Sequence, residues 1–270
     1  MAFFVCTGCG TQYPKSEMPP SHCTICEDER EATPSTGQRW TTLPALRQTH
    51  FNGWRRYEPD LFGIGMFPAF GIGQRALLVR TPTGNVLWDC VTLLDEATVD
   101  LIRSLGGIDA IAISHPHYYS SMVEWAHAFD APVWLHEGDR DWIMRPDPAI
   151  CLWAGHTHEL KPGLTLINIP GHFDGATVAH WAAGADGLGA LLSADIVNVN
   201  RDRKSVSFMR SFSNFIPLSP ADVQIARDQL TPFAFDRLYS AWWNLTITSE
   251  GKQAIANSEA RYIDRVRGLA

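Results

Sequence analysis

The chain has 270 residues, 45% of them hydrophobic and 19% charged, and a formal net charge of −7. This balance excludes a disordered chain, a collagen-like repeat and a coiled coil, and leaves core for one large domain, or one large and one small. Net negative charge argues against a general binder of nucleic acid or anionic membrane, and no apolar run approaches the ~20 residues of a membrane helix.

Four of the six cysteines fall within the first 26 residues, in the order Cys6-Thr7-Gly8-Cys9-Gly10, Tyr13, Cys23-Thr24-Ile25-Cys26. A C-x2-C turn points two thiolates at one place. Two such turns complete a tetrahedral sulfur cage that suits zinc or a single iron. So short a segment has too little core to fold alone, and the metal supplies its folding energy. Cys90 and Cys151 stand apart and read as buried small residues. The pattern is that of a reduced, cytosolic chain, and the apolar start Ala2-Phe3-Phe4-Val5 is too short for a signal peptide. The charged run Glu27-Asp28-Glu29-Arg30-Glu31 and then Thr33-Pro34-Ser35-Thr36-Gly37 form a linker by composition. The expected domains are a metal module with its linker over 1–40 and a larger domain over 51–270. The tract from Pro44 to Pro59 reads as irregular or briefly helical.

Residues 61–72 read as strand and turn, with Gly63, Gly65, Gly71 and Gly73 as loop and bulge. The segments 76–80 and 86–88 form an antiparallel hairpin about Thr81-Pro82-Thr83-Gly84-Asn85. Asp95 caps a helix that ends before Gly106, with Val99, Leu101, Ile102 and Leu105 on one face. Residues 108–114 form a buried strand, 122–129 a helix and 132–135 a strand. Strands follow at 164–169, 177–182, 190–194 and 206–209. Ser219 and Pro220 open a helix to Leu230, 237–241 is a strand, and a helix over 249–267 closes the chain. Strand pairs flanked by helices predict a layered α/β fold with two sheets.

The residues with chemistry stand where strands end. Residues 108–114 run into His115-Pro116-His117. Residues 164–169 run into Pro170-Gly171-His172-Phe173-Asp174-Gly175, and 190–194 end in Asp195. Three histidines and an aspartate at the ends of different strands can form a metal site with room for water. A second H-x-H, His156-Thr157-His158, precedes the turn Lys161-Pro162-Gly163 and reads as a solvated edge strand. His136 and His180 read as packed histidines. Trp242 and Trp243 read as core or pocket wall. The basic cluster Arg201-Asp202-Arg203-Lys204 is broken by an acid and reads as a solvated turn.

The ordered set Asp89, His115-x-His117, Pro170-Gly171-His172-x-x-Gly175 and Ala194-Asp195 resembles the metallo-β-lactamase superfamily over roughly residue 61 to the C-terminus. The resemblance implies a four-layer αββα sandwich. His115, His117 and His172 would hold a metal, Asp195 would be a shared or fourth ligand, and Asp89 would anchor the site from behind. The N-terminal C-x-x-C-G-x-x-Y resembles the first knuckle of rubredoxins and zinc ribbons. Thr24 and Glu27 depart from rubredoxin in the second pair, which favours structural zinc over electron transfer.

The family pattern H-x-H-x-D-H departs here to His115-Pro116-His117-Tyr118-Tyr119-Ser120, and no histidine stands among Ala241-Trp242-Trp243-Asn244. The ligands of a second metal are therefore missing, and a mononuclear site of zinc or another divalent metal is expected. Tyr119 could donate to a developing oxyanion, or bind as an anion if the metal is ferric. Asp195 or Asp174 could orient the attacking water. These residues point to metal-dependent hydrolysis of a small ester, thioester, lactone or amide. The alternative is a binding or scaffold protein on a retired hydrolase fold, whose cysteine knuckle makes the contacts.

Overall fold

A computed structural model describes residues 1–33 and 35–269; Pro34 of the predicted linker lies outside them. The chain packs as two compact units, Met1–Trp153 and Ala154–Ala270.

The first unit opens with a three-stranded antiparallel sheet in the order β2-β1-β3: β1 (Ala2–Cys6), β2 (Gln12–Ser16) and β3 (Trp40–Thr41). One turn of helix, α1 (Thr24–Glu27), carries the second cysteine pair. The linker thus leads back to the knuckle, because Val5 pairs with Thr41 and Cys6 with Trp40. A second short helix, α2 (Leu43–Leu46), begins on the Thr42 hydroxyl.

A seven-stranded sheet follows, built from β4 (Phe51–Glu58), β5 (Leu61–Phe67), β6 (Arg75–Val79), β7 (Val86–Trp88), β8 (Ala110–Ala112), β9 (Val133–His136) and β10 (Ile150–Trp153). Spatial order is the reverse of chain order, β10 to β4. The first four strands are an antiparallel meander, and β7 to β10 run parallel. The crossovers are α3 (Glu96–Ser104) between β7 and β8 and α4 (Met122–Phe129) between β8 and β9. Parallel strands with covered faces read as continuous apolar runs, as in Ala110-Ile111-Ala112.

Three expectations are corrected in this unit. The tract before Pro59 holds an eight-residue strand, β4. It is an edge strand, and its exposed Arg55 and Arg56 hide the alternation that would have marked it. Gly63 and Gly65 lie inside β5 and not in a loop. Gly65 faces Gly53 of β4, where a Cβ would sit 2.6 Å from the Phe67 ring, so the phenyl covers the backbone that glycine leaves bare. On α3 the cap is as expected, with Asp95 accepting from the Thr98 N–H at 2.8 Å. Leu101, however, is 40% exposed, because this nine-residue helix buries only the stripe of Thr98 and Ile102.

The second unit holds a six-stranded sheet, in the order β11-β12-β13-β14-β19-β20. Its first four strands are β11 (Thr157–Lys161), β12 (Leu164–Asn168), β13 (Thr177–Trp181) and β14 (Ala190–Ala194). Two ribbons follow, β15 (Asn198–Val199) with β16 (Val206–Ser207), and β17 (Met209–Ser211) with β18 (Ile216–Pro217). The expected strand 206–209 is therefore two strands with different partners. Phe208 between them is buried and takes the Leu218 N–H on its carbonyl. The helix α5 (Pro220–Leu230) starts on a capping box made by Ser219 and Asp222. It leads into β19 (Arg237–Ser240), which lies parallel to β14, and then β20 (Thr246–Ile247). The last helix, α6 (Gly251–Val266), fastens the first ribbon through the Ser258 hydroxyl, which accepts from the Val206 N–H at 3.0 Å. Among the described residues no helix is long and apolar enough to cross a membrane.

Candidate metal centres

The four N-terminal cysteines are buried and unbridged, and their sulfurs lie within 4.8 Å of one another. The Sγ atoms of Cys6 and Cys26 are 3.5 Å apart, and those of Cys9 and Cys23 are 3.6 Å apart. An ion at the ~2.3 Å zinc–sulfur distance sets tetrahedral sulfurs roughly 3.8 Å apart, so the cage fits a single ion. Donors surround it. The Gly8 N–H and the Gln38 amide both point at Cys6 Sγ, at 3.3 and 3.1 Å. The Tyr13 hydroxyl donates to Cys23 Sγ at 3.4 Å and accepts from the Thr24 N–H. Hydrogen bonds from Cys23, Cys26 and Cys9 hold Cys6 far below the ordinary thiol range. Thiolate is the ligand form, and N–H donors to sulfur stabilise it.

The second group begins at the end of β8. The chain leaves that strand through Ser114 and His115 and makes a tight three-residue turn at Pro116–Tyr118. Asp89, just beyond β7, holds this exit. Its Oδ1 accepts the Ser114 N–H at 2.8 Å, and its own N–H donates to the Ala112 carbonyl at 2.8 Å. The Ser114 hydroxyl meets His115 Nδ1 at 2.9 Å, so the carboxylate anchors the first imidazole through one residue. The rings of His115 and His117 lie 5.1 Å apart, centroid to centroid, and both are buried.

In the second unit His172 follows β12 on a loop where Gly171 has φ +133°. Its Nδ1 lies 3.1 Å from the Met209 carbonyl. A carbonyl only accepts, so Nδ1 carries the proton and the lone pair is on Nε2. That is the tautomer a metal-binding imidazole needs. His115 and His117 in the first unit and His172 in the second are each buried, and they are the three imidazoles that the sequence assigns to a metal. Three neutral imidazoles are a donor set for zinc or a similar divalent ion, and the residues fit that group.

No family model matches the chain. It is 44% identical over 265 residues to the uncharacterized protein YmaE of Bacillus subtilis (strain 168), across 97% of this chain and 96% of that one. The chain belongs to the YmaE family. Among solved structures it is similar to TMB-1, at 12% identity and a TM-score of 0.60 over 80% of this chain and 98% of that one. It is also similar to the DIM-1 metallo-β-lactamase, at 12% identity and 0.58 over 77% and 95%. A third is MEM-A1, a subclass B3 metallo-β-lactamase from a soil metagenome library, at 18% and 0.53 over 78% and 95%. This YmaE relative therefore has the metallo-β-lactamase fold that its sequence resembles, preceded by a four-cysteine knuckle.

The remaining predicted site residues of this family member fall as follows. Asp195 directly follows β14 and is buried. Tyr119 is buried, and its phenol is pushed well above the ordinary tyrosine range by burial and then by the charge of Asp139, which keeps it protonated. Ser120, where the family places a histidine, accepts from the Gln74 amide at 3.1 Å and takes the Gln12 N–H on its carbonyl at 2.9 Å. Tyr118 escaped the sequence reading. Its ring centroid lies 4.3 Å from that of His115 and its side chain is fully buried. The signal was present, since Pro116 opens a turn of three residues, and in such a turn residues i and i+3 eclipse. Of the second H-x-H, His158 lies on the edge strand β11 and His156 is exposed just before it, so the strand read for both holds one of them. His136 packs edge-on against Trp153 at 4.6 Å, and the buried His180 donates its Nε2–H to the Ala234 carbonyl at 2.7 Å.

Proposed function

We propose that the chain is a metal-dependent hydrolase acting on a small ester, thioester, lactone or amide at a mononuclear site held by His115, His117 and His172. The observation that carries this reading is that His115, His117 and His172, each on a loop that follows a strand, are all buried on a metallo-β-lactamase fold. A divalent ion bound there supplies Lewis acidity and brings coordinated water toward a pKa of ~7. The chain's own residues do the rest. Asp89 and Ser114 orient His115, and the Met209 carbonyl fixes the tautomer of His172. In this reading Asp195 serves as a fourth ligand or takes the proton from the attacking water, and Tyr119, held neutral, donates its O–H to the developing oxyanion. The knuckle and its linker, 1–40, hold a structural zinc, and 51–270 carries the chemistry, in the cytoplasm.

The test is stoichiometric. Protein purified without chelator should contain about two ions per chain, one on sulfur and one on imidazole. The pair His115→Ala with His117→Ala should remove one ion and all turnover in a panel of ester, thioester, lactone and amide substrates. Retention of both ions refutes the imidazole site. A second reading, a scaffold on a retired hydrolase fold, is favoured by Ser120, whose carbonyl and hydroxyl are engaged by Gln12 and Gln74. One bound imidazole ion without turnover on the whole panel would support it.

A further inference from the structure

The knuckle does more than cap the N-terminus, because its second strand reaches the loop that follows the H-x-H motif. The Gln12 N–H donates to the Ser120 carbonyl at 2.9 Å, and the Thr92 hydroxyl donates to the carbonyl of Gly10, the residue after Cys9, at 3.1 Å. Thr92 serves both sides, since its own carbonyl accepts from the Ser121 hydroxyl at 2.6 Å. The fit is close. A Cβ on Gly10 would lie 2.3 Å from Thr92 Oγ1, and one on Gly71 would lie 3.0 Å from the backbone of Cys9 and Gly10. Trp142, Met144 and Ile72 pack on the cysteine cluster. Gln12, Thr92, Ser120 and Ser121 are all buried.

Ser120 has φ +46°, a conformation that a non-glycine residue keeps only where its surroundings hold it. The holders are Gln74, which also ties to the Cys90 carbonyl at 2.9 Å, and the knuckle's Gln12. His117 stands three residues upstream. The knuckle, in turn, depends for its own fold on the ion its thiolates bind.

We infer that the four-cysteine knuckle is a positioning element for the imidazole site, so that the chain fills its two metal sites in order, thiolates first. This rests on the three-histidine reading. Emptying the thiolate cage loosens the turn between β1 and β2, removes the hydrogen bond that restrains Ser120, and frees the loop that aims His117. Linkage makes the coupling reciprocal, so an ion on the imidazoles also tightens the thiolate site.

Cobalt(II) titration of the stripped full-length chain tests this, because sulfur-ligated cobalt has intense charge-transfer absorption and nitrogen-ligated cobalt only weak visible bands. The thiolate absorption should saturate before the imidazole bands. Cys23→Ser with Cys26→Ser should weaken cobalt binding at the imidazoles by ~10–100-fold. Because that variant removes two cage ligands and with them the support of the knuckle's fold, Thr92→Val, which leaves every cysteine and histidine in place, is the decisive one: imidazole affinity should fall by ~10-fold with the thiolate absorption intact. Hydrogen exchange read in peptides spanning 115–121 should rise in Thr92→Val and when the thiolate ion is removed. Unchanged imidazole affinity in Thr92→Val, or protection of 115–121 indifferent to thiolate occupancy, overturns the inference. No imidazole bands in the wild-type chain at saturating cobalt would instead overturn the hydrolase reading and this inference with it.

Discussion

Asp89 offers the sharpest test of how the first imidazole is held. The residue does two things at once. Its carboxylate takes the buried Ser114 N–H at 2.8 Å, and its backbone sits at φ +61°, a region that Asp and Asn tolerate better than other residues with a Cβ. Loss of a hydrogen bond to a charged group costs about 1.5–3 kcal/mol, and placing alanine in the left-handed region adds about 1–2 kcal/mol. Asp89→Ala should therefore lose roughly 2.5–5 kcal/mol, the sum of the two effects. Asp89→Gly should lose only the carboxylate's share, and Asp89→Asn, which keeps an acceptor and the backbone preference, the least. The ranking is read from urea midpoints, with m-values checked for constancy. Metal affinity at the imidazoles should fall in parallel, by ~10–100-fold for Asp89→Ala, because Ser114 passes the anchor to His115. If Asp89→Ala matched Asp89→Asn in both readouts, neither the carboxylate nor the strained backbone would be holding the site.

Tyr119→Phe should lower kcat by ~10-fold or more with the imidazole metal content unchanged, measured by turnover and metal analysis together; equal loss of metal would make Tyr119 structural. Ser219→Ala removes the cap of α5 and should cost about 1 kcal/mol in equilibrium unfolding, with little effect on either metal site. Burial, and then the charge of Lys252, lower the pKa of His180 while the Ala234 carbonyl opposes the shift. A folded-state pKa below the unfolded value means the unfolded chain binds the extra proton first, so this contribution to stability is complete above about pH 6.5 and is lost as pH falls toward the lower folded value. His180→Gln should flatten the stability profile in that window, and an unaltered profile would show that another group sets it.

The candidate ligands of both centres were legible in the residues because candidacy depends on identity and short spacing. Two C-x2-C turns bring four thiols together, as the buried cysteine cluster shows, and H-x-H after a buried run marks two candidate ligands. The capped helices were equally plain, since Asp95 and Ser219 act on N–H groups three residues away. Strand β4 was not legible, because an edge strand with exposed arginines lacks the alternation that burial imposes on a central one. Nor was the split of 206–209, where pairing partners far along the chain decide. The Met209 carbonyl that sets the tautomer of His172 and the knuckle's hold on Ser120 both join residues separated by many positions. Sequence selects which groups can bind an ion or accept a proton, since those are properties of single side chains. Distance between them is a property of the packed chain, and only the tertiary structure supplies it.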